Sequence, residues 1–142
     1  GGGKVISIIP QALADVSEKS FGEVHVTKDM HQRKALMNQL ADAFITLPGG
    51  FGTFEELLEM TTWSQLTIHD KPVLVLDILG YYDSLFTFFD KACTEGFISK
   101  ANRQIVTRCQ QVDEVVQALT TYQVPSRTFK LVWTHGEEQT LV

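Results

Sequence analysis

Ala43-Phe44-Ile45-Thr46-Leu47-Pro48-Gly49-Gly50-Phe51-Gly52-Thr53-Phe54-Glu55-Glu56 is the stretch that decides the fold. Residues 43–47 form a continuous, mostly apolar run, the pattern of a strand buried on both faces in a parallel sheet. Pro48 to Gly52 breaks it, and a helix opening at Thr53 and reaching about Leu66 follows, with Leu57, Leu58, Thr61 and Leu66 inward. A glycine-rich turn between a buried strand and a helix lets backbone N–H groups approach a ligand without a Cβ in the way. The helix directs its positive end at the same point, and open α/β sheets bind ligands at the carboxyl ends of their strands. A phosphate is the expected occupant. The bland alternative is a turn that merely connects two elements.

Outward from this stretch the same alternation repeats. Residues 5–9 are a β-branched run ended by Pro10, residues 11–22 a polar loop, and residues 24–26 a weak second strand. Asp29 can cap a helix over residues 30–41. Pro72 introduces a strand at 73–77, a helix follows over 81–95, and Gly96 stops it. A strand at 105–109 and a helix at 112–122, carrying Val115, Val116 and Leu119, complete the pattern. Strands alternating with helices predict βα units and a parallel sheet in a single α/β domain over residues 1–125. Residues 126–142 read as an irregular tail, with 130–134 extended.

Composition narrows the function. A net charge of −5 over 142 residues argues against a general nucleic-acid binder. No apolar run is long enough to span a bilayer. Cys93 and Cys109 read as two buried thiols in a reducing cytosol rather than a disulfide. His25, His31, His69 and His135 lack metal-ligand spacing, so no metal is expected. The glycine loop is neither a Walker A motif nor a dinucleotide fingerprint, which disfavours ATPase and NAD-enzyme readings.

Two residue clusters carry chemistry. Thr53 and Glu56 form T-x-x-E, which reads either as a capping box or as a catalytic carboxylate beside the loop. Glu55 is the neighbouring candidate, pointing in a different direction. In Asp29-Met30-His31-Gln32-Arg33-Lys34, two cations fall near a helix start, where the macrodipole disfavours them. That local conflict marks Arg33 and Lys34 for function, against the commoner fate of a solvated basic face.

With these segments read, the chain resembles the LOG ("lonely guy") family of cytokinin riboside 5′-monophosphate phosphoribohydrolases. The family pattern P-G-G-x-G-T-x-x-E matches Pro48, Gly49, Gly50, Gly52, Thr53 and Glu56. Its M-H-x-R-K segment matches Met30, His31, Arg33 and Lys34. Further similarity runs through Gly22–Val24, Thr62–Leu66, His69–Pro72, Gly80–Tyr82, Glu95–Ile98 and Lys130–Trp133. The resemblance implies a Rossmann-like three-layer fold and a cytoplasmic homodimer that hydrolyses the N-glycosidic bond of a nucleoside 5′-monophosphate, without metal or organic cofactor. It implies Arg33 and Glu56 as the catalytic pair. Gly49, Gly50, Gly52 and Thr53 would hold the phosphate, with Met30, Lys34, Glu55 and Thr61 in the substrate pocket. It also implies a further strand and glycine-rich segment ahead of Gly1, so the chain reads as entering mid-fold.

Two alternatives stay open: an AMP nucleosidase, and a non-catalytic carrier of the molybdenum-cofactor type, which shares the loop but needs no Arg33–Glu56 pair. A lysine decarboxylase label, often attached to this family, would require pyridoxal phosphate on a lysine, and no lysine is marked for that role.

Overall fold

The computed structural model describes residues 1–14 and 21–125. They fall into two compact units that part after Ala41.

The first unit begins with β1 (Ile6–Pro10) and a short helix α1 (Gln11–Ala14), followed by β2 (Glu23–Thr27) and α2 (Met30–Leu40). β1 and β2 pair in parallel, Ile6 opposite Glu23 through Pro10 opposite Thr27. The 24–26 segment is therefore a full strand, and part of the expected loop is helical. Entry to β2 depends on Gly22, whose φ is +71°. A Cβ there would stand 2.8 Å from the carbonyl carbon of Val5, so only glycine fits. Ser7 Oγ donates to Phe21 O at 2.6 Å across the same junction. Asp29 caps α2 as expected, its side chain accepting from the Gln32 N–H at 2.8 Å.

The second unit runs β3 (Phe44–Thr46), α3 (Phe51–Gln65), β4 (Val73–Leu76), a 3₁₀ turn (Ile78–Gly80), α4 (Asp83–Thr94), α5 (Lys100–Arg103), β5 (Val106–Cys109) and α6 (Val112–Thr120). Its three strands lie parallel in the order β3-β4-β5. β4 is central and wholly buried, as its unbroken apolar run requires. Because side chains alternate across a strand, Val73 and Val75 face one layer and Leu74 and Leu76 the other. The valines pack with Leu57 and Met60 of α3 and with Phe86 and Phe89 of α4. The leucines pack with Val115 of α6. Helix, sheet and helix thus form three layers, the Rossmann-like α/β arrangement read from the sequence.

Several local expectations are corrected. β3 is not buried on both faces: as an edge strand of this sheet it leaves Ile45 exposed. The inward stripe of α3 is Leu57, Met60 and Ser64, whereas Leu58 is exposed and Thr61 and Leu66 are half-buried. On α6, Val115 is buried but Val116 is exposed. α5 was not anticipated; Ser99 caps it by accepting from Asn102 N–H. Gly96 ends α4 as expected, at a φ of +83°. Both cysteines are free thiols; Cys109 is buried but Cys93 only half so. The expected extended segment at 130–134 lies outside the described residues.

Candidate functional site

The glycine loop leaves β3 at its carboxyl end and enters α3 two residues earlier than expected. Gly50 is the N-cap and Phe54 N–H closes the first helical bond to its carbonyl at 3.0 Å. The capping-box reading of Thr53 and Glu56 is therefore overturned: Thr53 is already the third residue inside the helix, not its cap. The first-turn N–H groups of Phe51, Gly52 and Thr53 have no intrahelical acceptor and stand with the positive end of the helix dipole.

The three glycines answer to different demands. None of them has a positive φ, so none is there for a left-handed turn. At Gly49 a Cβ would lie 2.9 Å from Thr53 Cβ and nearer still to its hydroxyl, so packing against Thr53 requires glycine. A Cβ at Gly50 or Gly52 would meet nothing within 4 Å. Neither backbone conformation nor internal packing asks for glycine at these two positions.

The loop is held from behind by two tyrosines. Tyr82 Oη donates to the Leu47 carbonyl at 2.6 Å, and Tyr81 Oη donates to the Gly49 carbonyl at 2.7 Å. Tyr82 is buried and stacks edge-on against Phe54 and Tyr81. Burial, then the neighbouring Tyr81 and Asp77, pushes its hydroxyl above the usual pKa of 10.0. Asp77, buried at the end of β4, accepts from Tyr82 N–H at 2.8 Å and from Arg108 Nε at 2.6 Å. Arg108 also pairs with Asp83, and its guanidinium lies 5.3 Å from the centroid of the Phe86 ring. Sequence reading assigned no role to Tyr81, Tyr82, Asp77 or Arg108. The one available signal was an aspartate closing an otherwise apolar strand.

Glu55 and Glu56 are neighbours on the first turns of α3, about 100° apart around its axis. Glu55 is exposed and Glu56 half-buried. Helical Cα–Cβ bonds tilt toward the N-terminus, which carries Glu56 over the turn containing Gly52 and Thr53. Thr61 lies two turns farther on, about 12 Å along the axis from Thr53. Its hydroxyl donates to Leu57 O at 2.7 Å, and it lines a groove with Leu58, Gln65, Phe89, Ile98 and Arg103. Glu55, Glu56, Thr61 and the loop thus share α3 and its entry, while Thr61 stands at a distance from the loop.

Met30, Arg33 and Lys34 belong to the first unit. Met30 opens α2 and is exposed; Arg33 and Lys34 are half-buried. Arg33 Nε donates to the Ile8 carbonyl of β1 at 2.9 Å, so the guanidinium is fixed to the sheet rather than left on a solvated face. His31 is exposed, and His25 pairs with Glu23 at 2.8 Å. His69 is buried, its Nε2 2.8 Å from the Met60 carbonyl and its Nδ1 accepting from Lys71 N–H, a structural role. No helix among the described residues is long and apolar enough to cross a membrane.

Residues 1–119 match a protein family described as possible lysine decarboxylase. The chain is similar to a cytokinin riboside 5′-monophosphate phosphoribohydrolase of Arabidopsis thaliana, 51% identical over 94% of this chain and 64% of the relative. It is 52% identical to a probable cytokinin riboside 5′-monophosphate phosphoribohydrolase of Oryza sativa subsp. japonica, over 86% of this chain and 56% of the relative. The chain spans less than two thirds of the length of either.

Proposed function

From its membership of the family described as possible lysine decarboxylase, and from its likeness to phosphoribohydrolases, we propose that this chain hydrolyses the N-glycosidic bond of cytokinin nucleoside 5′-monophosphates. The products are free cytokinin base and ribose 5-phosphate. The observation that carries the reading is the glycine loop. Gly50 and Gly52 are glycine where neither φ nor packing requires it, beside a helix N-terminus whose first N–H groups have no intrahelical acceptor. A ligand that must touch the backbone explains both, and an anion is what such a site attracts.

In this reading the loop and Thr53 anchor the 5′-phosphate and so place the ribose near Glu56. Breaking the C–N bond builds positive charge on the ribose ring; the Glu56 carboxylate stabilises it or activates the attacking water. Arg33, steadied by Ile8, holds phosphate or orients the carboxylate. Met30, Lys34, Glu55 and Thr61 complete the pocket, Thr61 toward the base end. Anchoring the phosphate helps the reaction only insofar as it fixes the reacting centre. Arg33 lies in the first unit and Glu56 in the second, and no cofactor takes part in the proposed reaction. Decarboxylation by a lysine-bound pyridoxal phosphate fits poorly, because each lysine among the described residues is exposed or only half-buried. We further propose that the protein acts in the cytoplasm, as a homodimer; sedimentation at micromolar concentration tests the dimer.

The test of the function is product analysis by chromatography. Incubation with N6-isopentenyladenosine 5′-monophosphate should release isopentenyladenine and ribose 5-phosphate well in excess of adenine from AMP. Preferential cleavage of AMP would make the protein an AMP nucleosidase, and binding without cleavage would make it a carrier.

A further inference from the structure

The two tyrosines behind the loop hold different kinds of peptide. The Leu47 carbonyl, held by Tyr82, belongs to the peptide that joins Leu47 to Pro48, which has no N–H. The Gly49 carbonyl, held by Tyr81, belongs to the peptide that joins Gly49 to Gly50. No cis peptide occurs among the described residues, so in that planar unit the Gly50 N–H points opposite to the Gly49 carbonyl. Whatever aims the carbonyl at Tyr81 aims the Gly50 N–H away from it. At Gly50 there is no Cβ to shield that N–H, and a Cβ would meet nothing there.

We propose that Tyr81 is a positioning residue for the ligand phosphate: by holding the Gly49 carbonyl it turns the Gly50 N–H toward the anion. The inference rests on the phosphate reading of the loop. Tyr82 has the other task. Its bond is half-buried, its ring lies in the core, and its own N–H is tied to Asp77, so it fixes where the strand ends. Tyr81 is 54% exposed and contributes little to the core, so its hydroxyl can be removed with the fold intact.

The experiment compares the wild-type protein with Tyr81→Phe and Tyr82→Phe by calorimetric titration with ribose 5-phosphate, AMP and adenosine. The amide resonances of the ligand-free proteins are recorded in parallel. Tyr81→Phe should weaken ribose 5-phosphate and AMP by about 3- to 10-fold, the worth of one oriented hydrogen bond, and leave adenosine unchanged. The Gly50 amide resonance should move or broaden without ligand, and thermal stability should hold. Tyr82→Phe should instead lower thermal stability. Unchanged phosphate affinity in Tyr81→Phe overturns the proposal, as does an equal loss for adenosine, which marks a general structural effect. If the wild-type protein binds no phosphate-bearing ligand, the phosphate reading itself falls, and with it the role of Tyr81 toward an anion. The Gly50 resonance then tells whether Tyr81 orients that amide at all.

Discussion

Asp77 and Arg108, thirty-one positions apart in sequence, form a buried-carboxylate pair at the carboxyl end of the sheet, Nε to Oδ2 at 2.6 Å. The same carboxylate holds the N–H of Tyr82, whose hydroxyl holds Leu47 at the mouth of the glycine loop. The loop is therefore anchored to the core through Tyr82, Asp77 and Arg108. Removing Arg108 leaves the Asp77 charge buried with only Tyr82 N–H for compensation. Arg108→Ala should destabilise the protein, because it leaves the Asp77 carboxylate buried without its charge partner. Urea titration checks this; a loss under about 0.5 kcal/mol, the range of ordinary surface changes, would show that the pair does not anchor the loop.

Tyr82 makes stability depend on alkaline pH. Its raised pKa means that the folded protein keeps a proton that the unfolded chain releases near pH 10.0. The stabilisation is fully present below that pH and declines as pH rises through and above it. Tyr82→Phe should start less stable at neutral pH, and its stability should fall less steeply between about pH 9 and 11. Identical slopes for the two proteins would refute the assignment.

The glycines separate fold from function. Gly49→Ala should destabilise by about 1–3 kcal/mol through its clash with Thr53. Gly52→Ala should raise stability by about 0.5–1 kcal/mol, because alanine is the better helix residue and its Cβ meets nothing. Gly52→Ala should nevertheless bind ribose 5-phosphate at least tenfold more weakly. A stabilised Gly52→Ala protein with wild-type phosphate affinity would remove the loop from the ligand site.

How much of this was legible follows from which contacts are local. The β3–loop–α3 stretch announces itself, since apolar run, proline and glycines are adjacent in sequence. The start of α3 does not: Gly50-Phe51-Gly52 reads as coil on propensity, and the helix is drawn back to Phe51 by a loop pinned from Tyr81 and Tyr82. Thr53-x-x-Glu56 fits a capping box only if Thr53 is the cap, so that reading fell with the boundary. Leu58 is exposed, against expectation, because a helix face is narrower than its run of apolar residues. Asp77, Arg108 and the tyrosines could not be paired at all, because their partners lie far apart in sequence and no periodicity joins them.

Glu56→Gln should lose turnover by at least 10³-fold while the protein stays folded. Glu55→Gln should stay within about threefold of wild type, as expected for an exposed residue one step around the helix. Should the two results be reversed, the catalytic carboxylate is Glu55.

Arg33→Ala should abolish turnover, and loss of its bond to Ile8 should by itself cost about 1 kcal/mol. Arg33→Lys should not restore the rate, since an ammonium cannot reproduce the guanidinium fork. Turnover retained in Arg33→Ala would exclude it from the mechanism.

The most direct measurement sets N6-isopentenyladenosine 5′-monophosphate beside N6-isopentenyladenosine at equal concentration and follows free isopentenyladenine by chromatography. A phosphate-anchored hydrolase releases base and ribose 5-phosphate from the nucleotide and essentially none from the riboside. Equal release from both, or none from the nucleotide with folded protein, would contradict the account.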